Sequence, residues 1–146
     1  MTITAKCYGQ VFKSAFNKEI DWDSDAIKVM LTTSAYTPDQ DAHQYKSSVT
    51  NEVAATGGYT AGGNTLTTCT STYTGATNKL MLDADDTSWT SSTITARTAV
   101  VYDSTPGTDA TRPLVCYQQS DVDIVSSGGT FQITWSASGI LEVTVA

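Results

Sequence analysis

Thr130-Phe131-Gln132-Ile133-Thr134-Trp135-Ser136, Ala137-Ser138-Gly139 and Ile140-Leu141-Glu142-Val143-Thr144-Val145 together form the stretch on which the fold class turns. Phe131, Ile133 and Trp135 alternate with Gln132, Thr134 and Ser136, and Leu141, Val143 and Val145 alternate with Glu142 and Thr144. A period of two places each set on one face of a strand, so both runs have an apolar face and a polar one. The glycine-containing turn between them predicts a C-terminal β-hairpin over 130–145.

The same signals recur upstream. Ile27, Val29 and Leu31 alternate with Lys28, Met30 and Thr32, which predicts a strand over 27–31. Thr65–Thr74 is almost all Thr, Ser and Cys, rich in β-branched residues that favour strands. Lys79–Asp83 sets Leu80 and Leu82 on one face after the turn Thr74-Gly75-Ala76-Thr77-Asn78. Thr93–Tyr102 puts Ile94, Ala96 and Val100 on one face and Val101 on the other, the Val100-Val101 pair marking a more buried half. Pro113–Gln119 follows a turn carrying Pro106-Gly107. This spacing predicts one all-β domain over 1–146, an antiparallel β-sandwich or barrel of about seven or eight strands.

One or two short helices are expected in the N-terminal third. Tyr8, Val11, Phe12, Ala15 and Phe16 fall at helical spacing, which favours a helix over a bulged, twisted strand. Residues 1–20 are thus expected to form a docking arm or helix, with Tyr8, Phe12 and Phe16 as exposed aromatics for a partner. Thr37-Pro38 reads as an N-cap and first helical position, with Asp39 and Asp41 in the first turn of a short helix over 38–46. Gly57–Gly63 reads as a glycine-rich loop.

Charge narrows the partners. The net charge is −7 and the pI about 4.3, and an acidic surface repels phosphates and anionic headgroups. No nucleic-acid or membrane partner is expected; the nearest approach to a basic group is Lys6, Lys13 and Lys18. No run approaches the roughly 18 apolar residues that span a bilayer, and residues 1–6 show no basic region leading into an apolar one. Cys7, Cys69 and Cys116 are odd in number and far apart, which favours three reduced thiols, with an intermolecular disulfide through Cys7 as the lesser reading.

No pattern of catalytic residues emerges. The one histidine, His43, lies in a polar context and reads as a solvated side chain, and no nucleophile or phosphate-loop motif appears. Asp21, Asp23 and Asp25 have the opening spacing of a calcium loop, but Ala26 and Thr32 stand where such a loop needs Gly and Glu. Neither a metal nor a cofactor is expected. Asp83, Asp85 and Asp86 could furnish paired carboxylates for a hydrolase, yet turn chemistry is the stronger account. Trp135 continues a core face, whereas Trp22 and Trp89 sit among polar residues. A lid over the sandwich end is favoured for these two over a platform for sugar rings.

A wider pattern runs through the chain. Asn17-Lys18-Glu19-Ile20-Asp21-Trp22-Asp23-Ser24-Asp25 leads into Ile27-Lys28-Val29-Met30-Leu31, followed by Tyr36-Thr37-Pro38-Asp39-Gln40-Asp41-Ala42-His43 and Tyr59-Thr60-Ala61-Gly62-Gly63. Thr93-Ile94-Thr95-Ala96-Arg97, Ala99-Val100-Val101-Tyr102 and Gly128-Gly129-Thr130-Phe131 complete it. In these segments and their order the chain resembles a family of small virion structural proteins of tailed bacteriophages. The resemblance implies a non-enzymatic protein, made in the host cytoplasm and carried on the capsid surface. Its expected role is capsid decoration, docking on the major capsid protein lattice and on copies of itself, as a trimer at lattice axes. Many copies on a repeating lattice would add avidity to each weak contact. The alternative is a minor tail protein or a sugar-binding adhesin of the tail. No catalytic residue carries over.

Overall fold

β-Branched and aromatic residues build eight strands in the computed structural model, which describes residues 1–145. They are β1 (Ile3–Cys7), β2 (Ile27–Thr32), β3 (Asn64–Thr65), β4 (Thr70–Thr74), β5 (Lys79–Asp83), β6 (Thr87–Asp103), β7 (Leu114–Ile133) and β8 (Leu141–Thr144). The fold is all-β. One antiparallel sheet has the order β1-β7-β6-β2-β3 and a smaller one has the order β4-β5-β8. Among the described residues there is one α-helix, α1 (Val11–Phe16), and Lys46–Ser48 form a 3-10 turn.

Two cores sandwich the larger sheet. On one face Val29, Leu31, Ile94, Val101, Phe131 and Trp135 belong to a large cluster, against which Leu82 and Leu141 of the smaller sheet pack. On the other face Tyr8, Met30, Tyr36, Val100, Tyr102, Leu114 and Tyr117 form a second cluster under Val49 of the long 33–63 connection. Burial on both faces explains why β2 is apolar at Met30 as well as at Val29 and Leu31. Each such side chain, fully buried, contributes about 1.5–3 kcal/mol.

The long strand β6 keeps its core face by breaking its own period. Trp89, Ile94, Ala96, Ala99 and Val101 all lie in the large cluster, although strict alternation cannot put them on one side. Register shifts at Ser91 (φ +51) and at Arg97 each add an unpaired residue and flip the phase back. Val101, not Val100, therefore shares a face with Ile94 and Ala96, which corrects the assignment made by strict alternation. Between the shifts, Ser92 and Ser126 are buried and hydrogen-bond each other at 2.8 Å, with Ser126 also accepting from the Ile94 N–H. No buried hydroxyl there is left unpaired.

Other expectations are revised as well. Residues 130–145 do not form a hairpin: β8 pairs with β5, Leu141 opposite Leu82. The turn at Ser136–Gly139 carries the chain across to the smaller sheet, where the Ile140 N–H donates to the Leu82 carbonyl at 2.8 Å. Alternation identifies a strand but not its neighbour. The helix over 38–46 does not extend beyond one turn: Asp39 caps the Asp41 and Ala42 N–H groups (3.0 and 2.9 Å) and its carbonyl accepts from the His43 N–H, but Gln44 and Tyr45 are drawn into extended pairing beside β7. Gln44 is then captured by the Leu114 N–H at 2.8 Å. The 65–74 strand splits into β3 and β4 at Thr68 (φ +54), where the Thr67 and Thr68 hydroxyls donate to Asp85. Residues 120–130, not read as strand, belong to β7.

Gly63 offers a direct check of this packing. It has φ +73, and a Cβ there would collide with the Val29 carbonyl in the adjoining β2. Gly128 has a similar φ of +69 with open space around it. Gly63→Ala is expected to cost about 2–4 kcal/mol in urea unfolding, and Gly128→Ala only about 1 kcal/mol. Equal losses would mean that backbone conformation alone, and not close approach, fixes Gly63.

Candidate functional site

Helix α1 has two unlike faces. Val11 and Ser14 are buried, and the Ser14 hydroxyl accepts from Gln44 Nε2 at 3.2 Å. Phe12 and Phe16, one turn apart, face outward at 42% and 88% exposure. The Glu19 N–H donates to the Ser14 carbonyl (2.9 Å) and the Lys18 N–H to that of Ala15 (3.1 Å), the Schellman pattern of a helix end. Lys18 occupies the left-handed position, φ +61, that usually falls to glycine. A lysine there costs about 1–2 kcal/mol relative to glycine.

Tyr8 is not part of this exposed surface. It is fully buried, 5.0 Å from the Tyr117 ring, and its hydroxyl lies 2.9 Å from that of Tyr36. Tyr36 in turn lies 3.0 Å from Nδ1 of His43, which also accepts from the Asp39 N–H at 3.3 Å. The acceptor role fixes the His43 proton on Nε2 and makes Tyr36 its donor, so Tyr8 donates to Tyr36. Burial, with this hydrogen bond second, pushes the Tyr8 phenol well above its ordinary range. The helical spacing that groups Tyr8 with Phe12 and Phe16 mixes an inner face with an outer one. His43 is likewise half-buried at the end of this chain rather than freely solvated.

Charge is distributed unevenly around α1. Residues 1–18 contain Lys6, Lys13 and Lys18 and no carboxylate, a formal +3, which leaves −10 on the remainder. Among the described residues Lys46, Lys79, Arg97 and Arg112 engage in ion pairs, and these three lysines do not. All three are exposed. Sequence reading finds the lysines and the phenylalanines separately. The burial of Val11 and Ser14 shows that Lys13 lies on the outward side of α1 with Phe12 and Phe16, with Lys18 exposed at its end.

An open cleft of about 460 Å³ lies beside the end of α1, lined by Lys18, Glu19, Asp25, Tyr45, Thr105, Pro106 and Thr111. Asp103 is buried behind Asp25. Its Oδ1 accepts from the Thr105 N–H at 2.8 Å, whereas Oδ2 has no hydrogen-bond partner, and the Asp25 carboxyl lies close to the Asp103 carboxyl. Burial, reinforced by Asp25, raises Asp103 to about 6.

The remaining candidate residues are occupied structurally. Asp25 Oδ2 accepts from the Asp21 N–H (2.7 Å) and Asp23 Oδ2 from the Ser71 hydroxyl (2.7 Å), so the three aspartates tie a turn to β4. Asp85 holds Thr67 and Thr68, and Asp86 accepts from the Trp135 N–H at 2.9 Å. Trp22 and Trp89 are buried. Trp22 Nε1 donates to the Asp83 carbonyl (3.2 Å), and Trp89 packs edge-on against Phe131 at 5.9 Å, so neither ring presents a flat platform. A second, apolar groove of about 510 Å³ opens beside the edge strand β1, walled by Ile3, Ala5, Ile124, Phe131 and Trp135. Among the described residues no helix is long and apolar enough to cross a membrane. Comparison with protein-family models, with curated proteins and with solved structures finds no match to this chain.

Two measurements follow from this geometry. Unfolded Asp titrates near 3.9, so the raised Asp103 stabilises the fold fully below about pH 4 and loses that contribution as pH climbs through about 6. Thermal melts should show a gain on the order of 1–2 kcal/mol from pH 7.5 to pH 5, and Asp103→Asn should flatten that slope. An unchanged slope in the Asn variant would assign it to other carboxyls. Lys18→Gly should raise stability by about 0.5–1.5 kcal/mol in denaturant titration, through relief of the left-handed conformation.

Proposed function

We propose that this chain is a non-enzymatic virion structural protein, a capsid decoration protein that docks on the major capsid protein lattice through α1. The observation that carries the docking surface is the outward Phe12–Phe16 pair beside exposed, unpaired Lys13 and Lys18. Apolar side chains one turn apart are the anchors of a helix laid in a groove, and adjacent cations choose an acidic rim. The particle itself comes from the resemblance of the sequence to small tailed-phage virion proteins. Asp23, Asp25, Asp85, Asp86 and His43 make internal hydrogen bonds and the tryptophans are buried, which supports a binding role over a catalytic one. The buried Trp22 and Trp89 also favour the capsid reading over a sugar-binding adhesin.

Copies on a lattice bind collectively, so small losses per site become large losses of occupancy. Burying the exposed Phe16 ring contributes about 1.5–3 kcal/mol, a factor of roughly ten to a hundred per site. Purified chain should co-sediment with expanded shells that lack it. Phe16→Ala and Lys13→Glu should each lower occupancy, and added salt should weaken binding of the parent chain more than that of Lys13→Glu. Absence of co-sedimentation with shells, together with recovery on isolated tails, would transfer the protein to the tail.

A further inference from the structure

Cys7 and Cys116 are direct partners across the antiparallel β1–β7 ladder. The Tyr8 N–H donates to the Val115 carbonyl and the Asp121 N–H to the Thr2 carbonyl, both at 3.1 Å. Even-numbered residues of β1 therefore hold the hydrogen-bonded pairs, and Cys7 stands at a non-hydrogen-bonded one. At such pairs the Cα atoms approach to about 4.5 Å, within the window of about 4.4–6.8 Å that disulfides accept. Both side chains lie on the same face, since Cys116 belongs to the large core and Cys7 packs against it. In the structure both thiols are free.

We propose that Cys7 and Cys116 are a site of reversible disulfide formation, fastening the edge strand β1 to β7 when the chain meets a small-molecule disulfide such as oxidised glutathione. Cys7 is the half-buried member and reacts first. Its thiolate attacks one sulfur of the oxidant, the external S–S bond breaks, and one thiolate leaves, giving a mixed disulfide on Cys7. Cys116 then gives its proton to solvent and attacks the Cys7 sulfur, releasing the second thiolate. Two protein thiols are oxidised and one external disulfide is reduced to two thiols, so the exchange balances. Burial pushes the Cys116 thiol up to about 12, with Cys7 beside it as the second cause. The second step therefore limits the rate and quickens about tenfold for each unit of rising pH.

This site is separate from the outward face of α1 and requires no shell. The expectation of an intermolecular bridge through Cys7 meets a nearer acceptor inside its own chain. The test uses the full chain carrying Cys69→Ser, incubated with oxidised glutathione at mildly alkaline pH, quenched in acid, unfolded and alkylated. Intact mass should show loss of two hydrogens, and peptide mapping should join the Cys7 and Cys116 peptides. The melting temperature should rise and fall back on reduction. In Cys116→Ser the reaction should stop at a glutathione adduct on Cys7. If Cys69→Ser fails to fold, the parent chain serves, with Cys69 mapped as the alkylated bystander. A Cys7 adduct or a Cys7–Cys7 dimer in the chain that retains Cys116, with Cys116 still open to alkylation, would overturn the proposal.

Discussion

The β6–β7 ladder is the interaction on which the other elements depend. β2 joins the large sheet only through the C-terminal part of β6, and β1 only through the part of β7 paired with it, so both flank the same end of the ladder. The smaller sheet finds an apolar surface because the core-facing residues of β6 stay in phase over its whole length. Two extra residues, near Ser91 and Arg97, keep that phase. Removing either would turn the residues beyond it inside out, exchanging apolar and polar faces along half the strand. The shift near Arg97 also lets β7 loop outward through Asp121 and Asp123, which accept from the Thr2 N–H and from Arg97.

With so long a ladder in a chain of modest size, few polar groups are left over for external chemistry. Aspartates that could act together are instead dispersed into turn closures, hydroxyl contacts and the paired carboxyls behind the cleft. Hydroxyls of Thr and Ser satisfy one another or nearby carboxylates. The surface of α1 departs from this economy, combining uncovered phenyl rings, free ammonium groups and a strained lysine. Paired exposed phenyl rings beside free ammonium groups mark a surface where a partner is best sought.

Much of the sheet was legible in the residues themselves. Alternation at 27–31 and the turn before Lys79 correspond to β2 and to the β4–β5 hairpin. What alternation could not convey is which strand lies next to which, and so Leu141 was paired with the wrong neighbour. Bulges defeat a fixed period, which is why Val100 and Val101 exchanged faces. The proline and aspartates after Thr37 carry a genuine helix-start signal. Asp39 does cap a first turn, but pairing of Gln44 and Tyr45 with the start of β7, a long-range contact that local propensity cannot foresee, ends it there. On α1 the periodicity was sound, but six residues are too few to show which stripe faces the sheet. Tyr8 consequently fell on the wrong side.

The position of β1 bears on how the chain reaches this state. Ile3 pairs with Ser120, so β1 has no sheet neighbour until more than a hundred further residues have left the ribosome. At about 5–20 residues per second that interval is on the order of 6–25 s. Throughout it, Ile3, Phe12 and Phe16 are exposed on a nascent segment whose charge opposes that of everything synthesised after it. Attraction to the emerging acidic chain can hold this segment close without fixing its register. β1 joins by zipping onto β7 across a large sequence separation, so its closure carries a high loop entropy that the local β6–β7 hairpin does not.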